Sequence, residues 1–195
     1  MGGTAYDWPR TLMARGAEAQ LRPDHLRRRP KEARSGALHC FLLDCSASML
    51  KDGKLARAKG VLVELMEEAY RRRDRVALLC FGGNTVELRM PPRRAGAFND
   101  TWLAPIAGGG GTPLTLGVQQ AGILLAKHES AQRWLWLLTD GRSTESPARP
   151  VGVDVAMVVD FEGGRGALGR AQSQAKAWSG EYFQVRGPDR ASSMS

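Results

Sequence analysis

Residues 37–49 read ALHCFLLDCSASM, from Ala37 to Met49. From Ala37 to Leu43 only His39 is polar, and the run stops at Asp44. A stretch that is apolar at nearly every position, rather than at every second one, predicts a strand covered on both faces. Its carboxyl end carries the spacing D-x-S-x-S, made by Asp44, Ser46 and Ser48. In an open α/β sheet, ligands bind outside the carboxyl ends of the strands. One carboxylate and two hydroxyls offer only oxygen, which suits a hard ion such as Mg²⁺ or Mn²⁺ better than zinc or copper.

Working outward, strands and helices alternate. Asp52-Gly53 predicts a turn, and Lys54 to Arg72 a helix with Leu55, Ala58, Leu62, Leu65, Met66 and Ala69 at helical spacing. Arg75 to Gly82 is a second buried strand, and Asn84 after Gly82-Gly83 suits a tight turn into a shorter strand, Thr85 to Met90. Pro91-Pro92 is expected to stop that strand, with a short helix following over Arg93 to Leu103. After the glycine run Gly108 to Gly111, Thr112 fits a cap and Pro113 the first position of a helix reaching about His128. Leu114, Val118, Ala121 and Leu125 mark its apolar side. Arg133 to Thr139 is a third buried strand and ends, like the first, in an aspartate, Asp140, followed by Gly141. Val153 to Val159 is a fourth, Ala167 to Trp178 the last helix, and Glu181 to Val185 a last short strand. This order predicts an α/β fold: a single doubly wound, mostly parallel sheet with helices on both faces.

The chain of 195 residues, 43% hydrophobic and 25% charged, suits one soluble domain with a tail. That domain is expected over 36–187, after a basic tail or linker over 1–35 and before a frayed C-terminus over 188–195. Half of the net charge of +8 comes from the first 35 residues, with eight Arg/Lys against four Asp/Glu. The densest part, Leu21 to Arg34, contains two prolines and no aromatic, so it reads as a solvated lead-in or a docking arm for an acidic protein rather than for nucleic acid. No stretch approaches the roughly 20 apolar residues of a membrane helix, and the N-terminus lacks the apolar core of a signal peptide. A cytoplasmic location is the expectation, with no membrane partner.

Cys40 and Cys80 lie in apolar runs and Cys45 in the loop, an odd set that argues against a disulfide framework or a zinc site. His25, His39 and His128 are scattered and read as core or surface residues. Trp134 and Trp136 share one strand face and read as core, whereas Arg71, Arg72, Arg73 and Arg75 read as a solvated helix end.

Three loops therefore converge on one sheet edge: Asp44 to Ser48, Gly111-Thr112, and Thr139-Asp140-Gly141. They supply two carboxylates and three hydroxyls, a set suited to an ion that wants about six oxygens and keeps several waters. D-x-S-x-S, then a threonine, then T-D-G resembles the metal-ion-dependent adhesion site of von Willebrand factor A domains. FLLDCSASM, RAKGVLVELMEEAYRRRDRVALLCFGG, PPRR, GGGGTPLTLG and LLTDGRST more closely resemble the A domain of the D-type subunit of magnesium and cobalt chelatases, over about residues 22–186. The resemblance implies a von Willebrand A, Rossmann-like fold. It implies Ser46, Ser48 and Thr112 as direct metal ligands, and Asp44 and Asp140 as ligands mainly through water. A carboxylate from a partner would then fill the last position. Two positions depart from the family pattern: Cys45 stands where alanine is usual, as a possible oxidation target, and Ala47 where glycine is usual. The AAA+ module and acidic linker of D-type subunits have no counterpart, since no G-x-x-x-x-G-K-[ST] occurs. A stand-alone subunit is therefore expected, or a piece of a longer chain.

The function so implied is a Mg²⁺-dependent protein-binding module without catalytic residues of its own. It would be a subunit or adaptor of a chelatase-type complex that inserts metal into a tetrapyrrole. Its partners would be an AAA+ ATPase and the large catalytic subunit. One alternative is an adaptor for an AAA+ ATPase that remodels another metalloenzyme. A more remote one is a phosphotransferase with Asp44 as nucleophile, although such aspartates normally have a second carboxylate two residues on, where Ser46 stands.

Overall fold

Leu38–Asp44 form β1, and all seven residues are buried. The computed structural model describes residues 36–96, 112–162 and 168–185. The basic tract, the glycine run Gly108 to Gly111, the expected 97–103 part of a helix and the C-terminal residues from 186 lie outside the described residues.

After a single 3-10 turn, Lys51–Gly53, come α1 (Lys54–Arg71), β2 (Arg75–Gly82) and β3 (Thr85–Arg94). Then follow α2 (Leu114–Ala126), β4 (Arg133–Thr139), β5 (Val155–Asp160), α3 (Arg170–Ala177) and β6 (Glu181–Gln184). The strands make one six-stranded sheet in the order β3-β2-β1-β4-β5-β6. Every pairing is parallel except that of β2 with β3.

Alternate side chains of the central strands feed two separate cores, which is why the strands show no polar alternation. Phe41, Leu43, Leu78, Cys80 and Leu138 pack with Leu55, Ala58, Leu62 and Met66 of α1. Leu42, Leu79, Leu135, Leu137 and Val158 pack on the other face with Val118, Ala121 and Leu125 of α2 and with Ala171, Ala175 and Trp178 around α3. Each fully buried Leu or Phe contributes roughly 1.5–3 kcal/mol, so both layers are required for stability. The three cysteines are free and buried. Cys45 is a core residue rather than a loop thiol, at 5% exposure, so the expectation of an accessible oxidation target beside the site is corrected.

Two local expectations also change. β3 does not stop at Pro91-Pro92 but runs on to Arg94, so Arg93 and Arg94 are strand rather than helix. β3 is the sheet edge, where a missing N–H is harmless on the open side. Register shifts on either side of Leu78 place Met90 opposite Leu78 and Arg93 opposite Val76, so the prolines sit in a bulge with one extra residue. The β2–β3 turn is made by Gly83 and Asn84, both at positive φ (54° and 69°), with Gly82 still in the strand. At α2 the cap position is Pro113, not Thr112, and no side chain caps it locally. Among the described residues, no helix is long and apolar enough to cross a membrane.

Candidate metal centre

The strand order reverses direction between β1 and β4: β1 leads through α1 to β2 on one side, and α2 carries the chain back to β4 on the other. The carboxyl ends of β1 and β4 flank this switch point, where open α/β sheets bind ligands. They present Asp44 and Asp140, both fully buried.

Asp44 Oδ1 accepts the Ser46 N–H at 2.9 Å, and Oδ2 accepts the Thr139 hydroxyl at 2.7 Å. The Thr139 oxygen in turn accepts the Gly141 N–H at 3.1 Å, so β1 and the T-D-G loop are locked together. Burial pushes the Asp44 carboxyl above its ordinary range, with repulsion from Asp140 adding to it and the hydrogen bonds opposing it. Ser46 Oγ lies 3.1 Å from Ser48 Oγ, and Ser48 donates to Asp140 Oδ1 at 3.1 Å. A continuous relay of oxygens thus joins the two aspartate loops. Ala47, between the serines, is exposed and not at positive φ, so the loop does not need the glycine usual in the family.

Thr112 reaches the same edge by another route. Its carbonyl accepts the Ser143 hydroxyl at 3.2 Å, tying the start of α2 to the loop that carries Asp140. Asp44, Ser46, Ser48 and Asp140 therefore stand in one bonded network, and Thr112 is tied by its backbone to Ser143 on the loop that follows Asp140, without a bond to the network itself. The donors are all oxygen and include two neighbouring buried carboxylates, a set that fits a hard divalent cation.

Two participants carried no signal in the sequence motif. Lys54 Nζ donates to Asp140 Oδ2 at 2.8 Å, with both side chains almost completely buried. A hint was present: Lys54 is the first residue of α1, whose first turn holds no acidic residue, and a cation there opposes the helix dipole. Glu145 accepts the Thr115 N–H at 2.6 Å and so caps α2 from the T-D-G side. It lies 30 residues away in sequence, beyond the reach of a capping rule.

A third strand-end carboxylate, Asp160 at the end of β5, accepts the Glu162 N–H at 2.7 Å and the Tyr182 hydroxyl at 2.8 Å. Burial raises the Asp160 carboxyl, with Glu162 and Asp140 adding repulsion, and Tyr182 is pushed up to about 12 by burial and by Asp160. At the opposite end of the sheet, His39 lies against Asp74 (3.3 Å) and accepts the Trp136 indole N–H at 3.1 Å on Nδ1. That pattern makes it a satisfied core histidine, and Trp134 stacks on Trp136 beside it at 5.8 Å.

Comparison with known proteins agrees with this geometry. The von Willebrand factor type A domain model matches residues 40–142, a span that holds Asp44, Ser46, Ser48, Lys54, Thr112 and Asp140. The chain is 35% identical over 147 residues to an uncharacterized protein of Mycobacterium tuberculosis, covering 70% of this chain and 23% of that one. It is 38% identical over 124 residues to the magnesium-chelatase 60 kDa subunit of Cereibacter sphaeroides, covering 63% and 22%. The chain therefore spans about a fifth of the length of these relatives. In fold it resembles the BatB protein of Bacteroides thetaiotaomicron, with a TM-score of 0.63 at 20% identity over 80% of this chain and 93% of that one. With β1, the switch point and the matched span in agreement, the chain belongs to the von Willebrand factor type A domain family and is homologous to magnesium-chelatase subunits.

Proposed function

We propose that this chain is a Mg²⁺-dependent protein-binding module of the cytoplasm. It would serve as a non-catalytic subunit or adaptor in a chelatase-type complex driven by an AAA+ ATPase. The observation that carries the reading is the oxygen relay from Ser46 through Ser48 to Asp140, set beside buried Asp44 at the switch point. Ser46, Ser48 and Thr112 would hold the ion, with Asp44 and Asp140 balancing its charge. A bound divalent ion would supply one open position for a carboxylate of the partner. The names of the magnesium-chelatase relatives point to the complex.

The rim of the site suits such a partner. Leu50 and Leu168, on loops, and Leu116, in the first turn of α2, expose 56%, 52% and 41% of their surface, and Arg142 and Arg170 are exposed as well. Exposed leucines together with exposed arginines favour an acidic segment with apolar neighbours. The phosphotransferase reading loses support because Asp44 is fully buried and each of its oxygens already accepts a hydrogen bond from the protein.

The test is a pull-down from the source cell with the immobilised chain, in Mg²⁺ and in EDTA, with Ser48→Ala as control. Recovery of an AAA+ ATPase or a large chelatase subunit only with Mg²⁺ and an intact Ser48 supports the proposal. Equal recoveries in all three conditions refute it.

A further inference from the structure

Lys54 bears two costs that an ordinary surface lysine avoids. Its side chain is 7% exposed, so the ammonium has lost most of its water. It also stands at the amino end of α1, where the helix dipole repels a cation. What offsets both is Asp140, whose own side chain is completely buried. Asp140 Oδ1 takes Ser48 and the Arg142 N–H, while Oδ2 faces Lys54 at 2.8 Å and the Arg142 guanidinium at 3.8 Å.

We infer that Lys54 is a built-in counter-ion, which neutralises Asp140 when the centre holds no metal and is displaced when a divalent cation arrives. This rests on the reading of the site as a cation centre. An ion seated on Ser46 and Ser48 would share the Asp140 carboxylate with the ammonium, and a double positive charge beside a single one favours their separation. Displacement is sterically open. Lys51, Asp52 and Gly53 immediately before Lys54 are all exposed, and a four-carbon stem can carry the ammonium from the buried carboxylate to solvent. The lysine thus sets a threshold: the free chain holds an ion weakly, and a partner carboxylate arriving with the ion tips the exchange.

The test uses the full chain and Mg²⁺ or Mn²⁺ alone. Reductive methylation read by mass spectrometry should find Lys54 protected relative to exposed Lys51 and Lys127 without metal. Saturating Mg²⁺ should raise Lys54 labelling several-fold and leave Lys51 and Lys127 unchanged. In calorimetry Lys54→Met, which keeps the stem and removes the charge, should bind the ion at least tenfold tighter than wild type, and Lys54→Arg should not. Ser48→Ala should abolish both binding and the labelling change. If wild type binds the ion, Ser48→Ala does not, and Lys54 stays protected with Lys54→Met no tighter, the inference is overturned while the metal-centre reading stands. If no variant binds an ion, the metal-centre reading falls and the inference with it. Should Lys54→Met fail to fold, the labelling of the wild-type chain decides alone.

Discussion

Gly82 supplies no candidate ligand, yet its substitution should disturb the candidate metal centre. It ends β2 directly beneath the D-x-S-x-S loop, and the Cys45 N–H donates to the Phe81 carbonyl at 2.8 Å just before it. A Cβ on Gly82 would meet the Cys45 carbonyl carbon at 3.0 Å, the Ser46 nitrogen at 3.1 Å and the Cys45 oxygen at 3.2 Å. All three are backbone atoms, which cannot swing aside as a side-chain tip can. Ordinary contact begins near 3.4 Å, so the loop must lift by 0.2–0.4 Å (3.4 less 3.2, and 3.4 less 3.0). Overpacking of this kind costs about 1–3 kcal/mol. For a chain of this size that lowers the melting temperature by about 2–12 °C. The same lift moves Ser46 relative to Asp140, and if about 1.4 kcal/mol of the strain is felt in the ion-bound loop, affinity for Mg²⁺ falls tenfold. Gly60 is the control, because the same chemical change there, on the exposed side of α1, meets nothing within 4 Å. Gly60→Ala should stabilise by about 0.5–1 kcal/mol through helix propensity. Urea denaturation and calorimetric titration of both variants make the measurement. A Gly82→Ala protein that melts within a degree or so of wild type and binds Mg²⁺ equally well would refute the idea that β2 wedges the loop.

Other outcomes follow from the same geometry. Ser48→Ala removes the one hydroxyl bridging Ser46 to Asp140 in a partly exposed loop, so stability should change by less than about 1 kcal/mol while ion affinity falls at least tenfold by calorimetry. Asp44→Ala leaves the Ser46 N–H and the Thr139 hydroxyl unpaired in a buried place, which costs about 1–3 kcal/mol each, partly offset by losing a buried charge. A urea midpoint matching wild type would contradict that. This strand-end aspartate therefore braces the fold. Glu145→Ala should cost about 0.5–1 kcal/mol by loss of the remote cap on α2, and Glu145→Gln less, because the amide oxygen still accepts from Thr115. Burial lowers the His39 pKa, and its Nδ1 must stay unprotonated to accept the Trp136 N–H. Its contribution is thus complete above the ordinary histidine value and is lost as pH falls through the depressed one. Stability measured against His39→Gln should converge as pH falls from 7.5 towards 5, and a constant difference would exclude this assignment.

The sequence by itself determined the sheet and its two cores. Seven consecutive buried positions in β1 are legible because a strand covered on both faces has no polar alternation to obscure, and helical spacing named most of the buried side of α1, with Leu65 only half-buried and buried Lys54 missed. The D-x-S-x-S and T-D-G motifs are local in the chain, so their placement at strand ends could be read directly. Tertiary structure decided what sequence distance hides. Lys54 reaches Asp140 across 86 residues, and Ser48 reaches it across 92. Whether Pro91-Pro92 ends a strand depends on whether that strand is an edge, a property of sheet order and not of the dipeptide. Asp44 looks like a surface ligand in the motif and is a fully buried brace in the fold, because β1 is the central strand and neighbours close over its end. Local pattern fixes which face a residue takes, but only the packing of distant loops fixes which charge it meets there.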